Sequence, residues 1–130
     1  MSFNRENNGD EPKYKNSRWQ DLYSFLAKND FEVYAPGIKL GECKSPYLVV
    51  KEDGSSFHAF ASTYIDLYSI LIYVPKQNYS LLDEMVQKVR RTMKFAEPLF
   101  YPTGAQTPSF YDEEIKAHTV SLTYKNYKKL

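Results

Sequence analysis

Few side chains in this 130-residue sequence are of types that do chemistry: two histidines, one cysteine, a run of acids and a cluster of bases. His58 and His118 lie far apart, and Cys43 is spaced with neither as a zinc ligand set would be, so no metal site is expected. His118 shares its alternation with Val120 and Leu122, which predicts a hydrogen-bonded histidine in a strand. Cys43 stands beside Lys44, a neighbour able to lower a thiol pKa, yet no histidine partner adjoins it and a structural role is expected. A single cysteine also cannot form an internal disulfide, which fits a reducing compartment.

Asp112-Glu113-Glu114 offers paired carboxylates of the kind used in general acid–base work. Consecutive acids beside a loop more commonly form a solvated face, and no substrate pocket is legible around them, so the chain is not read as an enzyme. The glycines are scattered at Gly9, Gly37, Gly41, Gly54 and Gly104 and make no phosphate-cradling motif, which leaves no cofactor implied. Arg90, Arg91 and Lys94 form a basic cluster able to touch phosphates, although a place in the last turn of a helix explains it through the dipole alone. With 17 basic against 16 acidic residues the net charge is +1, so no long-range field draws the molecule to nucleic acid or to an anionic membrane. Aromatic strands able to stack single-stranded bases remain the nucleic-acid alternative.

The aromatic content is the more informative signal. Twelve Tyr and eight Phe exceed what one small core needs, and tyrosine suits a protein interface because its ring can be buried while its hydroxyl stays wet. Strand propensity is the competing explanation.

The elements that carry these residues follow from pattern. Residues 1–16 are polar, with nothing to bury, and read as a flexible N-terminal arm; they lack a signal-peptide core, so the protein is expected to stay where it is made. Ser17 and Gln20 have capping-box spacing, and Trp19, Leu22, Tyr23 and Leu26 make one helical stripe ending near Lys28-Asn29. Phe31–Tyr34 and Ile38–Leu40 read as short strands or hairpin arms about Pro36-Gly37. Pro46–Lys51 is a firm strand closed by a turn at Glu52–Ser55. Tyr64–Val74, ended by Pro75, is the central strand, and apolar residues on both its faces predict cover on both sides. Ser80 and Asp83 are placed to cap a second helix whose stripe is Leu82, Met85, Val86, Val89 and Met93, stopped before Pro98. Thr103–Pro108 reads as a turn-rich loop between Leu99-Phe100-Tyr101 and Phe110-Tyr111, and within this excursion Tyr101, Phe110 and Tyr111 are the candidate interaction residues. Ile115–Tyr124 alternates as a half-buried antiparallel strand, and residues 126–130 read as a frayed basic C-terminal tail. The expected fold is one α+β domain over 17–125, a mostly antiparallel sheet with two helices packed on one face.

The run Pro46-Tyr47-Leu48-Val49-Val50, the long strand from Tyr64 to Pro75, the helix Asp83–Arg90 and the closing His118–Tyr124 together resemble the tail terminator family of long-tailed bacteriophages, also called tail completion or minor capsid proteins. The resemblance lies in element order and length over about residues 17–125 rather than in an invariant signature, and other phage neck and connector proteins share much of it. It implies a subunit that forms a ring, a hexamer in that family, on the head-proximal end of the tail tube, stops tube growth and offers a surface to the neck. The implied partners are further copies of the chain, the tail tube protein and a neck or head-completion protein, with no membrane and no specific nucleic acid. The implied location is the host cytoplasm during assembly and then the virion.

Overall fold

The computed structural model of the protein describes residues 17–58 and 63–129. In chain order these form α1 (Arg18–Lys28), β1 (Val33–Tyr34), β2 (Tyr47–His58), β3 (Thr63–Pro75), α2 (Leu81–Met93), β4 (Tyr101–Gln106), β5 (Phe110–Asp112) and β6 (Ala117–Lys129). The strands make one six-stranded sheet in the order β1-β2-β3-β6-β4, with β5 also paired to β6. Only β1 and β2 run parallel; every other pairing is antiparallel. Both helices pack on one face of this sheet, so the fold is α+β as the patterning predicts.

Strand alternation builds the main core. Tyr68, Ile70, Ile72 and Val74 of β3, Leu48 and Val50 of β2, and Val120, Leu122 and Tyr124 of β6 point to the helical face. They meet Leu22 and Leu26 of α1 and Leu82, Val86, Val89 and Met93 of α2. Each helix closes the face because its apolar residues recur every three to four positions, leaving the charged side chains outside. The start of α1 is fixed by the expected capping box: Gln20 N–H donates to Ser17 Oγ at 3.2 Å, and Ser17 N–H donates to Gln20 Oε1 at 2.8 Å.

Several expectations are corrected. The turn at Glu52–Ser55 is a bulge inside a longer strand: β2 continues to His58, with the register slipping between Glu52 and Ser55. Gly54 supplies a positive φ of 91° there, so the signal was of a left-handed residue and the strand absorbed it. Ile38–Leu40 is not a strand, and β1 pairs parallel with β2 rather than forming a hairpin arm. Ser80 stands at the N-cap position of α2 but is itself helical and makes no side-chain cap bond, because the turn Lys76–Asn78 already winds the chain into the helix.

The loop expected at Thr103–Pro108 is largely β4, which pairs with β6 across a register shift spanning Gly104. The frayed tail is also overturned. Lys125 to Lys129 continue β6 and pair with Leu67 to Thr63, because the extended β3 supplies partners for their backbone groups and Asn126 is buried. The proposed N-terminal arm and Leu130 lie outside the described residues.

Candidate interaction surfaces

The sheet face opposite the helices is only partly covered. At one end the chain between β1 and β2 crosses it, fixed by the Cys43 N–H, which donates to the Ile115 carbonyl at 2.7 Å. Cys43, Tyr47 and Ala117 form a small second core there, with Tyr34, Val49, Tyr73 and Ile115 packed around it. This meets the expectation that β3 is covered on both sides, most fully at this end: Leu67 and Leu71 further along the same face are only half-buried.

Cross-strand pairing arranges a row of tyrosines on this face. Tyr47 and Tyr73 are direct partners between β2 and β3, and their rings stack at 4.9 Å between centroids; Tyr34 meets Tyr47 edge-on at 5.6 Å. The Lys39 ammonium lies over the Tyr34 and Tyr47 rings at 5.4 and 5.7 Å. Burial pushes the Tyr47 phenol up to about 12, with the nearby Cys43, Tyr73 and Asp112 adding to the effect, and burial likewise raises Tyr73. The Tyr34 hydroxyl is held against Glu32, and that hydrogen bond raises its pKa. The Cys43 thiol is raised by burial against the opposing influence of Lys39; it donates to the Ser45 carbonyl at 3.4 Å and is no activated nucleophile.

The two edges of the sheet differ. On the β1 side, Trp19, Tyr23, Tyr34, Ala35 and Ile38 line a hollow of about 430 Å³, and Ile38 is 65% exposed at its rim. On the opposite edge, β5 carries Phe110, which is 64% exposed. Among the candidate interaction residues, alternation along β5 separates Phe110 from Tyr111. Phe110 pairs with Thr119 on the less covered face, whereas Tyr111 pairs with His118 and rests against its ring at 5.0 Å. Tyr101 lies on β4, with its ring 6.1 Å from that of Tyr127. The three residues therefore do not make one patch.

His118 is a hydrogen-bonded strand residue: its Nε2–H donates to the Lys76 carbonyl at 3.1 Å, and Tyr79 and Tyr111 flank its ring. Asp112, Glu113 and Glu114 turn the chain from β5 into β6, Asp112 Oδ1 accepting from the Glu114 N–H at 3.0 Å. Among the described residues no group of three or more His, Cys, Asp or Glu is arranged to hold a metal ion. No helix among them is long and apolar enough to cross a membrane.

A cleft runs between α2 and the β4–β5 segment, and the sequence pattern does not announce it because one wall is a strand where the turn-rich composition predicts a loop. At one end it forms a hollow of about 350 Å³ lined by Arg90, Arg91 and Lys94 together with Met93, Leu122 and Tyr124. Arg90 reaches across it to donate to the Gln106 side chain. The basic cluster was visible in the sequence; its convergence on a concave surface was not.

Compared with known proteins, the chain matches no protein-family model and no curated protein sequence.

Proposed function

We propose that this is a structural protein of viral tail assembly that acts by docking onto copies of itself and onto other proteins. In this reading it forms a ring, a hexamer by the resemblance to tail terminators, at the head-proximal end of a tail tube. There it halts polymerisation and presents the joining surface for the neck. A head-to-tail contact that closes into a ring needs two different patches on each subunit. The observation that supports it is the pair of unlike apolar features on opposite edges of one sheet: the exposed Phe110 ring on β5 and the aromatic hollow rimmed by Ile38 beside β1. An exposed aromatic on one edge can enter the hollow on the opposite edge of the next subunit, the arrangement from which interface anchors are made. Both edges also carry short strands, and a sheet edge is a template to which a further chain can pair.

The test is assembly. Purified protein, alone and mixed with tail tubes, is examined by solution mass measurement and electron microscopy. Rings, or caps confined to one end of the tubes, are the expected result. A protein that stays monomeric with tubes present, and tubes whose length it does not limit, would refute the reading. Binding at the neck without any effect on tube length would point to a neighbouring connector role instead.

A further inference from the structure

The hollow between the C-terminal half of α2 and β4 has an unbalanced inventory. Arg90, Arg91 and Lys94 line it against a single carboxylate, Glu97, and among the described residues none of the four takes part in an ion pair. Helix-dipole compensation accounts for cations in a last turn, but not for Arg90 reaching from α2 to β4, where it donates to the Gln106 side chain at the border with the neighbouring hollow. Between the charges the floor is apolar, made by the buried Met93 and Leu122, with the exposed Pro102 and Ala105 of β4 beside them.

Tyr124 is the independent observation. It lines the same hollow and is only 4% exposed, yet its hydroxyl makes no hydrogen bond among the described residues. A phenol so placed is a donor awaiting an acceptor, since a buried polar group left unpaired is costly. Its surroundings select a negative acceptor, because Arg90, Arg91 and Lys94 line the same hollow.

We infer that this hollow is a docking site for an acidic segment of a partner protein, one Asp or Glu side chain entering to accept from the Tyr124 hydroxyl beside Arg90. Arg91 and Lys94 engage further carboxylates at the rim. The methylenes of the entering side chain lie on the apolar floor, which a bare inorganic anion would leave uncovered. Protein carboxylates fit better than a nucleic-acid backbone because the chain has a net charge of only +1 and no extended basic track is needed to fill one hollow. The inference rests on the reading of the protein as a docking subunit and adds the chemistry of one partner surface.

The experiment is direct binding of a fluorescently labelled oligoglutamate peptide to the full chain, followed by anisotropy, with inorganic phosphate and a single-stranded oligonucleotide as competitors. The expected result is saturable binding, weakened about 10-fold or more in Tyr124→Phe, which keeps the ring and removes only the donor. Arg91→Ala/Lys94→Ala should weaken it further, and added salt should do so as well. Unchanged peptide affinity in Tyr124→Phe would overturn the inference, because surface attraction alone would then explain the binding. So would an oligonucleotide or phosphate that outcompetes the peptide at lower concentration. The circular dichroism spectrum and urea midpoint of each variant separate loss of the site from loss of fold. Peptide binding that persists in a chain forming no rings would sink the assembly reading and leave this site standing; rings without peptide binding would do the reverse.

Discussion

The Trp19 indole N–H donates to the Val50 carbonyl at 2.7 Å, tying α1 to β2 just beyond the last β1 partner, the Tyr34–Val49 pair. The two-residue β1 covers only the beginning of β2, and the indole occupies the next acceptor on that strand. Trp19→Phe keeps an aromatic ring near Tyr23, whose ring lies 5.3 Å away, but withdraws the donor. The variant should lose about 2 kcal/mol in urea unfolding, with the slope unchanged, as expected when one part-buried hydrogen bond is removed and the fold is kept.

Asn126 makes the corresponding tie at the far end of β6. It is 3% exposed, and its Nδ2 donates to the Leu99 carbonyl at 2.7 Å, anchoring the segment that leads into β4. Asn126→Ala leaves that carbonyl without its partner and should cost about 1–3 kcal/mol. Hydrogen exchange should show the loss of protection concentrated in β4 and the end of β6, while the β2–β3 pairing stays protected.

The buried phenols make the protein sensitive to alkali. Burial holds Tyr47 and Tyr68 up to about 12 in the folded chain, against an ordinary value of 10.0, so the unfolded chain gives up these protons first. Their contribution to stability is present below pH 10.0 and is lost progressively as pH rises toward 12. Urea midpoints measured across that interval should fall steeply. In Tyr47→Phe the fall should be shallower, and ultraviolet titration should show one late-ionising phenol fewer.

Phe110 and Tyr111 should respond differently despite being neighbours in sequence. Phe110→Ser removes an exposed ring and should leave stability within about 0.5 kcal/mol of the parent, while greatly reducing ring or cap formation. Tyr111→Ser removes a contact with His118 and should lower stability by about 1 kcal/mol. Equal effects of both variants on assembly, or assembly untouched by Phe110→Ser, would count against the edge contact.

Where one residue's chemistry and its alternation agreed, the sequence was a good guide. The Ser17–Gln20 capping box, the α2 stripe from Leu82 to Met93 and the sidedness of Val120, Leu122 and Tyr124 are all present in the structure. The failures came where a local signal allows two outcomes. Gly54 and Gly104 announce left-handed backbone, which serves a tight turn or a bulge equally well, and in both places a neighbouring strand was there to make it a bulge. The basic end of the chain looked frayed because charge says nothing of a partner strand, and β3 is long enough to hold it. The two hollows were invisible for a related reason: each is lined by segments distant in sequence, Trp19 with Ile38 in one and Arg91 with Tyr124 in the other.

The place of β6 in the sheet also bears on how quickly the molecule reaches its native state. Its strand neighbour β3 lies on the other side of α2, β4 and β5 in the chain, so their ladder can close only after that whole stretch has been looped out. The β2–β3 hairpin is free to zip early, whereas docking of β6 beside it should form the kinetic barrier and set a folding time on the order of milliseconds to seconds. Until that moment β3 exposes a full edge of aromatic and branched residues, which makes the half-zipped hairpin the species most prone to aggregate.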